Sequence, residues 1–325
     1  MTRSIPLPAP APATRAPPRG WRWQRVRRVL LAGFALLVLA LLVSGARDMD
    51  WAGAWRALRG YDIETLLLAG GLAALSHALY GSFDLLGRGY TGHRLSTARV
   101  WATAFVSYAF NLNLGSWVGA LGLRLRLYSR AGLDGITIAQ IIALALTTNW
   151  LGYGALAGVL FAGGLLDLPQ SFALGNDALR VIGVLVLLIA AAYLWACAFS
   201  RRREGTLRGH RWRLPSGRAA ALQLALSMSN WAVMGLIVYT LLGHAVPYPT
   251  VLAVLLAGAI AGVATHVPAN LGVLEAIFLA LLGGGDVPQA TILGAVLAYR
   301  AIYYLVPMAF AIVSYFVLES IGRSR

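Results

Sequence analysis

The chain has 325 residues, a formal charge of +15, 59% hydrophobic residues and only 12% charged ones. Several apolar runs of about twenty residues exclude a soluble domain and mark an integral membrane protein. The single Cys197 excludes an intrachain disulfide, and five scattered His without Cys or acidic partners at ligand spacing offer no metal site.

Residues 1–20 carry six Pro and many Ala, a composition that stays solvated instead of packing a core. Residues 1–24 therefore read as a disordered cytoplasmic tail and residues 25–325 as one transmembrane domain. The run 29–45 ends in Val43-Ser44-Gly45-Ala46 and resembles a signal-peptide core. The Pro-rich leader before it is longer than a usual n-region, so an uncleaved first span is expected.

All 27 basic residues are Arg, and most of them cluster at 3–28, 88–99, 124–130, 201–218 and 323–325. The positive-inside rule places these clusters, and both termini, in the cytoplasm. The connections 47–62, 163–177, 243–250 and 283–289 then face the other side. The cluster at 201–218 reads as a loop between spans and not as a nucleic-acid patch; contact with anionic headgroups is compatible with it.

Two long apolar stretches, 100–123 and 251–282, are interrupted midway. The first break, 111–119, reads Asn-Leu-Asn-Leu-Gly-Ser-Trp-Val-Gly, and the second, 266–272, reads His-Val-Pro-Ala-Asn-Leu-Gly. Lipid cannot satisfy free backbone groups, so non-helical backbone at membrane depth must be buried in protein or line a wet cavity. Arg clusters flank the first stretch on both sides, so a simple span would put one of them on the wrong face. A re-entrant hairpin entering from the cytoplasm and turning near 113–119 removes the conflict. The second stretch enters from the opposite side and turns near 268–272.

Six full spans remain, at 29–45, 63–86, 136–161, 180–199, 219–242 and 290–318. The expected fold is an all-α polytopic membrane protein with six spans and two re-entrant helical hairpins. Hairpins of opposite entry, and the echo of Thr148-Asn149-Trp150 in Ser229-Asn230-Trp231, raise the question of an inverted repeat and leave it open.

The candidate site follows from cost. A charge about ten residues into an apolar span costs at least ~2.5 kcal/mol and must face a partner or water, which singles out Arg300. Tyr303, Tyr304 and Pro307 share its helical face, and Pro307 deprives the Tyr303 carbonyl of its helical donor. Glu275, just after the second break, is the natural counter-ion. Two readings stand: a buried structural pair, or a guanidinium fork that receives phosphate while Glu275 releases it or couples to a proton. A plain pair would make each single substitution costly and the apolar double substitution nearly neutral. Asp84, with His77 and Tyr80 on its face, is either a further site residue or a partner of Arg88. The hairpin tips (Asn113, Gly115, Pro268, Asn270, Gly272) and mid-span Asn149 and Asn230 complete the candidate substrate-binding set. Phosphate loops, nucleophile elbows, metal-binding carboxylate pairs and dinucleotide fingerprints are absent from the sequence, so neither catalysis nor a cofactor is expected.

Asn113-Leu114-Gly115 through Gly122, Arg124 to Tyr128, Pro268-x-x-x-Gly272-x-x-Glu275 and Tyr299-Arg300 occur in the order seen in the flippase-type transmembrane region of bacterial lysylphosphatidylglycerol synthases. The chain resembles that family over residues 25–320, and most of all its free-standing inner-membrane members without the aminoacyl-transferase domain. Their second loop commonly carries two glycines where this chain has Ala269 and Asn270. The resemblance implies lipid translocation in the bacterial inner membrane; the residues themselves imply only an anion-receptive cavity. The expected partner is a membrane phospholipid or another lipid phosphate, with no nucleic acid. The alternatives are a non-transporting accessory to an envelope lipid enzyme and a membrane-embedded transferase.

The hairpin topology is testable. Arg94→Cys and Arg130→Cys, each in a Cys197→Ser background, should both resist an impermeant external thiol reagent in intact cells. Labelling at only one of them would turn the first hairpin into a span.

Overall fold

The computed structural model describes residue 56 and residues 59–321, apart from 167, 170–174, 202–203, 208–209 and 266–267. The predicted tail and first span, and His266 and Val267 of the second break, lie outside the described residues. The helices are α1 (Ile63–Thr91), α2 (Thr97–Leu114), α3 (Arg124–Arg130), α4 (Gly135–Ala162), α5 (Asn176–Phe199), α6 (Gly217–Leu241), α7 (Tyr248–Thr265), α8 (Val273–Leu282), α9 (Gln289–Tyr299) and α10 (Val306–Ile321). A π-helical segment, Trp117–Leu123, joins α2 to α3, and a second one, Arg300–Leu305, joins α9 to α10 without interrupting the last span.

Among the described residues, six helical stretches are long and apolar enough to cross a membrane: 63–91, 135–162, 176–199, 217–241, 248–265 and 289–320. Five correspond to expected spans. The sixth, α7, is 18 residues long, more than a limb that turns at mid-depth needs. It still folds back through the turn Pro268–Asn270 onto α8, whose 10 residues extend only about 15 Å, half a bilayer core. The fold is all-α as expected, with one small addition in the basic loop. That loop holds a two-stranded antiparallel ribbon, β1 (Glu204–Leu207) and β2 (His210–Arg213), with Glu204 opposite Arg213.

Helix starts follow the sequence. Asp62, Ser96, Asp134 and Ser216 each accept a backbone N–H of the helix they precede. The Thr65 N–H holds the Asp62 carboxyl below its ordinary value, and the Thr137 hydroxyl and N–H do the same for Asp134.

Contacts between helix ends divide the bundle into two poles. At one, the Tyr90 hydroxyl donates to the Arg213 carbonyl (2.5 Å) and accepts from its N–H (3.0 Å). Arg88 donates to Thr97 at 2.7 Å, and Arg126 and Arg130 pair with Glu319. At the other pole the Tyr61 hydroxyl donates to the Leu241 carbonyl (2.8 Å), and a cleft brings Asp62, Gly243 and Ala290 together. Both ends of the first hairpin, at 97 and 130, therefore belong to the Arg-rich pole.

Glycines allow close helix approach, as expected where packing is not driven by expulsion of water. A Cβ at Gly152 of α4 would lie 2.6 Å from the Met228 nitrogen of α6, and one at Gly183 of α5 would lie 2.6 Å from the Ala162 nitrogen of α4. Inside the hairpins, a Cβ at Gly119 would strike the Asn111 backbone and sit 2.6 Å from the Ser107 carbonyl. The return limb thus lies directly on α2. Gly258 of α7 has the same role, with Leu274 of α8 at 2.7 Å.

Overpacking of this kind costs about 1–3 kcal/mol where the neighbour can move, and the neighbour at Gly119 is backbone. Gly119→Ala should lower the melting temperature of the purified protein by several degrees, whereas Gly89→Ala, with nothing within 4 Å, should leave it unchanged or slightly raised. Thermal unfolding of the two variants side by side checks the comparison.

Candidate functional site

The second π-helical segment is where the candidate residues meet. Pro307 follows it and contributes no N–H, which removes a donor from the regular ladder and favours the wider winding upstream. Arg300, only 1% exposed, opens the segment. Its Nε donates to Glu275 Oε1, and its Nη2 donates to Glu275 Oε2 at 2.9 Å. Its Nη1 donates to the Ala269 carbonyl (2.6 Å) and Nη2 also to the Asn270 carbonyl (2.5 Å). The guanidinium lies 5.7 Å from the centre of the Tyr304 ring. Glu275 is therefore one of several partners, and the tip of the second hairpin supplies the others.

That tip has unusual backbone. Ala269 has φ 54° and Asn270 φ 53°, with Gly272 at φ 74°. Left-handed geometry costs a residue with a Cβ roughly 1–2 kcal/mol, less for Asn, so the turn persists because its carbonyls are held. The Asn270 amide lies against Gly262 of α7, where any Cβ would collide with it.

The first tip reaches the same π-helical segment. The Asn113 amide donates to the Ala109 carbonyl (2.8 Å) and to the Tyr304 carbonyl (3.1 Å), one residue beyond the carbonyl that Pro307 was expected to free. Gly115 turns the chain at φ 85°, and Leu114, Val118 and Met308 pack as an apolar cluster beside it. Trp117 is 80% exposed at the outer side of this tip.

Behind the π-helical segment lies a chain of hydroxyls. Ser76 donates to Asn230 Oδ1 at 2.7 Å. A hydroxyl has one proton, so Tyr303 donates to Ser76 (2.7 Å) and Tyr108 donates to Tyr303 (2.8 Å). His77 sits against both phenol rings, at 5.2 and 4.8 Å between centroids. Its Nδ1 faces the Ala73 carbonyl at 2.9 Å and so carries the proton, leaving Nε2 buried with no hydrogen-bond partner. Asn230 joins the site through this chain. Asn149 does not: its backbone carbonyl accepts from Ser227 (3.0 Å), and it is the neighbouring Thr148 that accepts from Gln223 (2.8 Å). The Asn-Trp echo thus has unlike surroundings on the two helices.

Asp84 is fully buried and pairs with Arg124, not with Arg88. Arg124 Nε donates to Oδ2 (3.0 Å) and Nη2 to Oδ1 (2.9 Å), while the Tyr128 hydroxyl adds a donor at 2.8 Å. Each hairpin is thus secured by a buried guanidinium–carboxylate fork. A tyrosine series runs between the forks: Arg124 lies 5.8 Å from the Tyr80 ring centre, Tyr80 stacks on Tyr108 at 3.5 Å, and Tyr108 bonds Tyr303, which abuts Tyr304 at 5.9 Å. Sequence reasoning missed Arg124 and Tyr108. Arg124 was counted as a topology marker with Arg126 and Arg130, and Tyr108 gives no signal beyond its place before the first break.

Residues 29–311 match the family described as the lysylphosphatidylglycerol synthase TM region. The chain belongs to that family. The inner membrane protein YbhN of Escherichia coli K12 is 46% identical over 299 residues, which cover 92% of this chain and 94% of YbhN. A Synechocystis protein, uncharacterized protein slr0712, is 28% identical over 312 residues, 93% of this chain and 96% of its own length. With six helical stretches long and apolar enough to cross a membrane among its described residues, this family member is a multi-pass inner-membrane protein. The positive φ values at Ala269 and Asn270 suit the two glycines that the resemblance led one to expect at this loop.

The fork at Arg300 predicts a result that a simple ion pair would not give. Arg300→Met should destabilise by about 3–5 kcal/mol, as for any broken buried pair. Glu275→Gln/Arg300→Met should recover only part of this, because the carbonyls of Ala269 and Asn270 still lose their donor. Adding Ala269→Gly, which relieves the left-handed turn, should recover more. Denaturation midpoints of the single, double and triple variants in detergent test the order, and full recovery in the double variant would reduce the site to the pair.

Proposed function

We propose that the protein binds an anionic, phosphate-bearing lipid and moves its headgroup between the leaflets of the inner membrane, with both termini in the cytoplasm and without catalysing a reaction. The observation that carries this reading is the second hairpin tip bonded to Arg300 through main-chain carbonyls. Those two carbonyls occupy N–H donors on one side of a planar fork whose geometry suits phosphate. A headgroup phosphate that takes their place releases the strained turn at Ala269 and Asn270, so that ligand entry and tip movement become one event. Glu275, 16% exposed at its side chain, stays beside the fork as competitor or proton acceptor.

The family supports a lipid substrate, since its name refers to the membrane region of an enzyme that makes a modified phospholipid. The sequence has no phosphate loop to bind a nucleotide, so movement would be downhill or coupled to an ion gradient. Asn113 on the Tyr304 carbonyl links the first tip to the same segment, which favours opposed motion of the two hairpins about the last span.

The test uses purified protein in vesicles containing a trace of headgroup-labelled phosphatidylglycerol and an impermeant quencher. Wild type should expose the label of the inner leaflet in a protein-dependent way. Arg300→Lys, which keeps the charge but not the fork, should lose most of that activity. Binding without movement would favour an accessory role, and a chemically altered lipid would favour a transferase.

A further inference from the structure

We propose that a second lipid site, separate from Arg300, lies between α3 and α10 at the Arg-rich pole, and that it takes the phosphate of an anionic phospholipid from the adjoining leaflet. A cleft of about 550 Å3 is lined there by Arg126, Tyr315, Phe316, Glu319 and Ser320. Two guanidinium groups converge on one carboxylate. Arg126 Nε donates to Glu319 Oε2 (3.3 Å) and Nη2 to Oε1 (2.8 Å), and Arg130 Nη1 pairs with the same Oε1. Two cations on one anion leave a net charge of +1.

Exposure separates this cluster from the two buried forks. The Arg126 and Arg130 side chains are 36% and 35% exposed, against 10% for Glu319. The inner carboxylate therefore aligns the guanidinium groups while their outer edges stay open to an incoming anion. Arg124 and Arg300, at 0% and 1%, have no comparable opening.

The surface beside the cleft argues for a lipid in place of a free anion. Ile312 and Phe316 of α10 are 40% and 65% exposed, and Ala309 before them is exposed as well. Their spacing of three and four residues puts them on the face that continues into Glu319 and Ser320, and the stripe they form is about 10 Å long, roughly two thirds of the depth of one leaflet. It ends at Phe316, three residues before Glu319 and in the lining of the cleft. A ligand with a phosphate at one end and an acyl chain at the other matches the cationic cleft and its apolar track together.

Glu319 then acts as an internal competitor, which gives the substitutions opposite signs. The full-length protein in detergent is titrated with phosphatidylglycerol, phosphatidylcholine and inorganic phosphate, and lipid retention is read by native mass spectrometry. Arg126→Gln/Arg130→Gln should weaken phosphatidylglycerol retention about tenfold or more. Glu319→Gln should strengthen it several-fold, and Arg201→Gln/Arg218→Gln on the exposed basic loop should leave it unchanged. An equal loss in the loop variant would assign the retention to general surface charge and overturn the site. Inorganic phosphate that displaces the lipid at equal concentration would overturn the lipid assignment. Weaker binding by a Glu319→Gln protein that still unfolds cooperatively would reduce the cluster to a packing latch. None of these results depends on whether the protein moves lipid, so the site stands or falls apart from translocation.

Discussion

A guanidinium ion buried among apolar helices must have its N–H donors met, because no water is there to meet them and the ion cannot shed its proton. Arg300 and Arg124 impose that requirement at two places, and much of the interior is arranged around them. Arg124 is met by Asp84 and the Ala120 carbonyl, Arg300 by Glu275 and two carbonyls of a turn that would not otherwise hold its shape. Each arginine thus converts a break in a helix, costly in lipid, into a satisfied and defined structure.

The same constraint ties the hairpins to the last span. Its π-helical segment offers Arg300 to one tip and the Tyr304 carbonyl to the other, so neither tip can shift without disturbing the winding between Arg300 and Leu305. Helix irregularities of this kind recur at functional sites because they hold polar groups in arrangements a regular helix does not offer. The tyrosines between the two forks extend the coupling: Tyr108 and Tyr303 share a hydrogen bond whose direction is set, through Ser76, by Asn230 on α6. Beside them the buried Nε2 of His77 has no hydrogen-bond partner.

The two poles differ in what they expose. Interior forks are closed, and the cluster of Arg126, Arg130 and Glu319 is half open with an apolar stripe leading away from it. Beside this outer cluster α2 packs on α10 through Val106, Ala109 and Ala311.

The sequence by itself determined the membrane class, five of the spans described in the structure, the folding back of both broken stretches and the pairing of Glu275 with Arg300. These follow from composition, from the distribution of arginines and from the cost of a charge in lipid, all of which are local or additive properties of the chain. Tertiary structure alone decided which arginine Asp84 meets, that the Asn230 side chain joins the hydroxyl chain while Asn149 accepts only through its backbone carbonyl from Ser227, and that Arg300 bonds the tip carbonyls as well as Glu275. It also decided that the basic loop forms a β-ribbon tied to Tyr90. Those outcomes depend on which helix faces oppose each other at what depth, and hydropathy does not encode that. Counting Arg124 with Arg126 and Arg130 shows the limit most clearly: three arginines within one short segment read alike in sequence, yet packing buries the first and leaves the other two at the surface.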